Sequence, residues 1–104
     1  MVSYRVSFAV GLMRPGVRPD ALLPAAAAAA RERTTVESYD VAVVRGTARI
    51  NVRFLSEDNV AAMRTASEVH SSVRALAAIA TPELARRYGP RWHPVAWVPA
   101  PREQ

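Results

Sequence analysis

Arginine supplies all 14 basic side chains of this chain, and neither lysine nor cysteine occurs in it. The absence of cysteine removes disulfides, thiol nucleophiles, iron–sulfur clusters and cysteine zinc sites together, and is compatible with a reducing cytoplasm. The only imidazoles are His70 and His93. Neither stands in the His-x-x-x-His or Glu-x-x-His spacing that puts two ligands on one helix face, although Glu68 lies close to His70. No metal and no cofactor is therefore expected. No catalytic serine or acid pair is visible: Glu57 and Asp58 are adjacent and read as complements to a helix dipole.

The arginines are the other chemical resource. Arg5, Arg49 and Arg53, with Asn51, fall on the outward positions of alternating segments, where guanidinium forks could hold phosphates. Nucleic-acid binding through this face is one candidate function. The formal charge of +5 has a plainer source in a codon bias that enriches Ala, Arg, Val and Pro together. Net charge speaks to solubility and steering rather than to fold. The aromatic candidates are Tyr39, Trp92 and Trp97. Alternation puts Trp97 on one face with His93 and Val95, and Trp92 on the other with Pro94 and Ala96. One tryptophan is thus expected outside the core of a single copy.

These residues need elements to hold them. The 104-residue chain is half hydrophobic and 22% charged, the composition of one globular domain over 1–104. Residues 3–12 alternate, with Tyr4, Val6, Phe8, Val10 and Leu12 on one face, which predicts a half-buried strand ended by Pro15-Gly16. A helix is expected from an N-cap at Asp20 through about Arg33, rich in the alanines 25–30. Residues 34–44 and 47–55 read as two strands around an Arg45-Gly46 turn, with Tyr39, Val41, Val43, Ile50, Val52 and Phe54 inward. Ser56 is the expected N-cap of a long helix to about Ala80, its core stripe Val60, Met63, Ala66, Val69, Val73, Leu76 and Ala80. A short helical turn over 83–88 and a last strand over 91–98 follow, Pro94 marking that strand as an edge. Residues 98–104 read as a Pro-rich tail. The apolar stretch 22–30 superficially resembles a signal h-region, but Asp20 and the strand before it argue against export. No run reaches the length of a membrane span, so a cytoplasmic protein is expected.

The order β-α-β-β-α-β predicts a ferredoxin-like α+β sandwich: two helices on one face of a four-stranded antiparallel sheet, with the first and third strands central. The RNA-recognition module of this fold stacks bases on aromatics of its central strands. Here those positions hold Arg49, Asn51 and Arg53, and Asp40 sits within reach of Arg49 or Arg53 to neutralise them. By element order and length the chain also resembles the small cofactor-free monooxygenases of the dimeric α+β barrel group. That resemblance implies an apolar cavity which Tyr39, His93 and Trp97 would line. The remaining candidate is an interaction surface. The second strand lacks proline and lysine and invites pairing through Val36, Ser38, Asp40, Ala42 and Val44, with Trp92 and Trp97 as aromatic anchors at the opposite edge. The reading taken forward is a non-catalytic, self-associating or partner-binding module. Nucleic-acid binding is its alternative and a cofactor-free enzyme the third.

Overall fold

A computed structural model describes residues 1–99. The elements are β1 (Val2–Met13), a 3-10 turn (Pro19–Ala21) leading into α1 (Leu22–Arg31), β2 (Val36–Val44), β3 (Thr47–Ser56), α2 (Asn59–Arg74), β4 (Ala77–Tyr88) and β5 (Arg91–Val95). They form an α+β structure with one antiparallel sheet in the order β2-β3-β1-β4-β5. The two helices pack together, α1 over β2 and β3 and α2 mainly over β4. The expected four strands are thus five, and their five-stranded order is not the expected ferredoxin-like one. Of the tail expected over 98–104, residues 100–104 lie outside the described residues.

The additional strand is β4, which replaces both the end of the long helix and the helical turn expected over 83–88. Alanines near residue 77 favour helix locally, but β1 is 12 residues long and has two sides to satisfy. β3 pairs with one side and β4 with the other. Pairing overrides propensity here. Accordingly α2 stops at Arg74, and its buried face is Ala62, Thr65, Ala66, Val69 and Val73. Of the expected stripe, Val60 is exposed and Ala80 belongs to β4. The helix caps also move. Asp58, not Ser56, accepts from the Ala61 N–H (2.8 Å). Asp20 sits in the 3-10 turn before α1 and caps nothing with its side chain.

The strands carry the core by alternation. Tyr4, Val6 and Phe8 of β1 and Ile50, Val52 and Phe54 of β3 are buried under the helices. Arg45 and Gly46 both have positive φ (53° and 79°), the twisted two-residue turn that joins β2 to β3. The alternation of β1 fails at its end: a register shift between Val10 and Met13 leaves Leu12 85% exposed and gives the inward place to Met13. One added residue flips every side chain beyond it.

A second shift, between Ser7 and Ala9, faces Thr81-Pro82 of β4. The proline's missing donor falls where the ladder is already broken, which is how an inner strand tolerates it. Thr81 there has φ 47°, a strained value for a β-branched residue. Arg49 reaches from β3 across β1 to hold this bulge. Its Nη1 donates to Thr81 Oγ1 (2.7 Å), and its Nη2 to the Thr81 carbonyl (3.0 Å) and to Ser7 Oγ (3.3 Å). The side chain is only 19% exposed, although its bonds to Thr81 lie at the exposed surface of the bulge. Arg49→Met is expected to cost about 1–3 kcal/mol, the usual loss for charge-assisted bonds whose acceptors are left behind. Urea denaturation checks this against Arg64→Met on the exposed face of α2, which should stay within about 0.5 kcal/mol.

Candidate functional site

β2 is an outer strand, paired on one side only, with β3. Register places Tyr39, Val41 and Val43 opposite Val52, Ile50 and Ala48, hence on the helix side of the sheet. They are nevertheless 41%, 50% and 73% exposed, and Val44 is 49% exposed. The expected burial of these three fails because the helix layer stops short of them. α1 buries Ala26, Ala27, Ala29 and Ala30. Such short side chains let it lie close to its neighbours and extend little cover sideways. Under the first turn of α1 a cleft of about 490 Å³ opens against this edge, lined by Val10, Met13, Leu22, Leu23, Val41 and Ile50 among others. The helix-side apolar strip of the edge is therefore Tyr39, Val41 and Val43, while Val44 is exposed on the open side. Of the set expected at an interface, Ser38, Asp40 and Ala42 face the open side of the sheet with Arg53, Asn51 and Arg49, and Val36 packs against the core.

The open face divides its arginines between structure and solvent. Arg49 is committed to the β4 bulge. Asn51 donates to Asp40 (2.9 Å), so Asp40 answers an amide and not the expected arginine. Arg53 lies 3.9 Å from Glu37. Arg5 and Arg53 are direct cross-strand partners. Both guanidiniums stand over the Trp92 ring of β5, at 4.7 and 5.3 Å from its centroid, and Arg87 joins them at 5.9 Å. Arg5, Arg49, Asn51 and Arg53 thus do not form the single free basic surface expected of them. The gathered group is Arg5, Arg53, Arg87 and Trp92. Arg87 had no visible role in the sequence because its segment was read as helix rather than strand.

The residues expected to line an enzyme cavity are kept apart. Tyr39 lies on one outer strand and His93 on the other. The Tyr39 ring carries the Arg31 guanidinium at 5.1 Å, and His93 meets Tyr88 edge-on at 5.1 Å. Trp97 crosses to α2, where its Nε1 donates to Ser67 Oγ (3.1 Å) and its ring meets His70. Among the described residues no group of three or more His, Asp or Glu side chains is placed to hold a metal ion. No helix among them is long and apolar enough to cross a membrane.

Two buried polar groups are structural. Tyr4 Oη donates to Asn59 Oδ1 (2.7 Å), and Arg86 Nη1 donates to both oxygens (3.3 Å each), tying β1, β4 and the start of α2 together. Burial raises the Tyr4 phenol above its ordinary range, partly opposed by Arg86. His70 is wedged between Phe8 and Trp97. Burial, with Arg74 adding to it, holds its imidazole below the ordinary 6.5.

The His70 environment sets a pH dependence. The unfolded imidazole titrates near 6.5, above the folded one, so just below that pH the unfolded chain binds more protons. Stability therefore rises with pH through this window and is lost as pH falls from neutrality into it. The urea midpoint should drop between pH 7 and about 5.5, and His70→Phe, which keeps the ring contacts, should flatten that drop.

No protein-family model, curated protein or solved structure matches this chain, and the reading of its function rests on its own surfaces.

Proposed function

We propose that this protein is a self-associating module whose copies pair through β2, and that it has no catalytic role of its own. The observation that carries this reading is the apolar strip Tyr39, Val41 and Val43, exposed on a strand with one side unpaired, with Val41 lining the cleft beneath α1. Such an edge is a template for another strand, and natural edges are usually blunted by lysine, proline or a covering element. β2 contains neither residue.

A second copy is the partner this edge fits. Two-fold antiparallel pairing keeps both helix layers on the same side of the joined sheet. Centring it on the strand's midpoint would set Asp40 against its own copy, and like charges directly opposite are unfavourable. Moving the centre one residue on sets Val41 against Val41 and Tyr39 against Val43. It also sets Asp40 against Ala42. Tyr39 of the second copy then stands beside the apolar cleft, within diagonal reach of Val41. The product is a ten-stranded sheet with four helices on one side.

Edge-to-edge contact between two 9-residue strands is small, near the lower limit of about 1,000 Å² for stable interfaces, so the association should be concentration-dependent.

Light scattering on a size-exclusion column should give a mass rising from one to two chains with loading. Val41→Lys and Val43→Glu should each hold the protein at one chain while leaving its circular dichroism unchanged. A wild-type chain that stays monomeric at the highest soluble concentration would contradict the proposal.

A further inference from the structure

The cluster over Trp92 has more cation than its surroundings neutralise. Three guanidiniums lie within 6 Å of one indole centroid, at 4.7, 5.3 and 5.9 Å. Arg5 has no hydrogen bond or ion pair among the described residues. The Arg87 Nε donates to the Gly89 carbonyl (2.8 Å), which brings no charge. Only Arg53 meets a carboxylate, that of Glu37 at 3.9 Å, and its buried Nε has no partner. Like charges gathered at this distance repel. The indole face offsets part of that, as cation–π contacts do. An oxyanion would offset the rest.

Beside the cluster runs a groove of about 520 Å³, a volume suited to a small organic ligand. Its floor is Ala85, which sits in register between Arg5 and Pro94. Its walls include Trp92, Pro94 and Pro82, flat or rigid apolar surfaces, and Arg5 stands where groove and cluster meet. Glu83 is at the groove too, with its side chain 72% exposed. Its carboxylate can accept from an amino group or a hydroxyl.

We propose that Arg5, Arg53, Arg87 and Trp92 form a binding site for a small phosphate ester carrying a flat ring, of the class of a nucleoside monophosphate. The guanidinium forks match phosphate oxygens two at a time, and the doubly charged ester answers more than one of them. The ring lies in the groove between indole and prolines. A nucleic-acid strand fits less well. The face offers one indole, and Glu37, Asp40 and Glu83 interrupt the positive track that a chain of phosphates requires. Glu37 of β2 touches Arg53 at this site, but Tyr39, Val41 and Val43 face the other side of the sheet, so the site does not depend on pairing there.

Isothermal titration of the unmodified chain with adenosine monophosphate tests it. Saturable binding is expected, at least about tenfold tighter than adenosine or inorganic phosphate alone. Arg5→Met and Arg87→Met should each weaken it about tenfold or more while the urea midpoint holds. In a Trp97→Phe background, the remaining Trp92 emission should change along the same curve. Equal affinity in the wild type and Arg5→Met would overturn the proposal, as would no saturation up to about 10 mM. So would an oligoadenylate that binds where the monophosphate does not, since that would make the face a nucleic-acid surface.

Discussion

Two helices have to cover one face of five strands, and they cannot. Neighbouring strands lie about 4.8 Å apart, so five of them span roughly 19 Å between outer axes. Two packed helices stand only 8–10 Å apart, and their side chains shelter about four strands. Here α1 is built largely from alanine and packs against α2 with almost no side-chain thickness. The cover is narrower still. Everything distinctive at the sheet's edges follows from this shortfall.

The chain meets it differently at each end. On the β5 side the end of the strand and the residues beyond it close the gap: Val95 packs on the core, and Trp97 folds onto α2, bonded to Ser67 and edge-on to His70. On the β2 side nothing described performs that task. Tyr39, Val41 and Val43 point to the helix layer and meet solvent instead. An edge with this composition and an unpaired backbone is the surface that the proposed strand pairing would cover. The opposite, open face needs no cover. It is held by Arg49 across the β4 bulge and by the Asn51–Asp40 bond, and the arginines left over collect at Trp92.

Much of this was legible in the residues. Strict alternation gave β1 and β3 their inward faces, Arg45-Gly46 gave the hairpin, and Pro94 marked an outer strand. The missing pieces share a cause, dependence on pairing partners distant in sequence. The segment around Ala77–Ile79 has helical composition and becomes a strand because β1 has a free side. The bulges at Gly11-Leu12 and Thr81-Pro82 leave no period in the sequence, so plain alternation puts Leu12 inside in place of Met13. Only the pairing of β4 sets Arg87 beside Trp92 and Arg86 beside Tyr4, and no local pattern announces it. Exposure of Tyr39, Val41 and Val43 was hidden for another reason. Alternation reports which side a residue faces and not whether anything lies there.

The central claim is that β2 pairs with β2 about Val41. A chain with no cysteine allows a direct geometric measurement. In the Val41→Cys variant the two residues at the axis would have Cα atoms about 4.5–5.5 Å apart. That is inside the span a disulfide bridges, about 4.4–6.8 Å. Mild oxidation at a protein concentration where the dimer forms is expected to link Val41→Cys rapidly into a covalent dimer, while Ala78→Cys, exposed on β4, stays unlinked. Equal, slow cross-linking at both positions would contradict it.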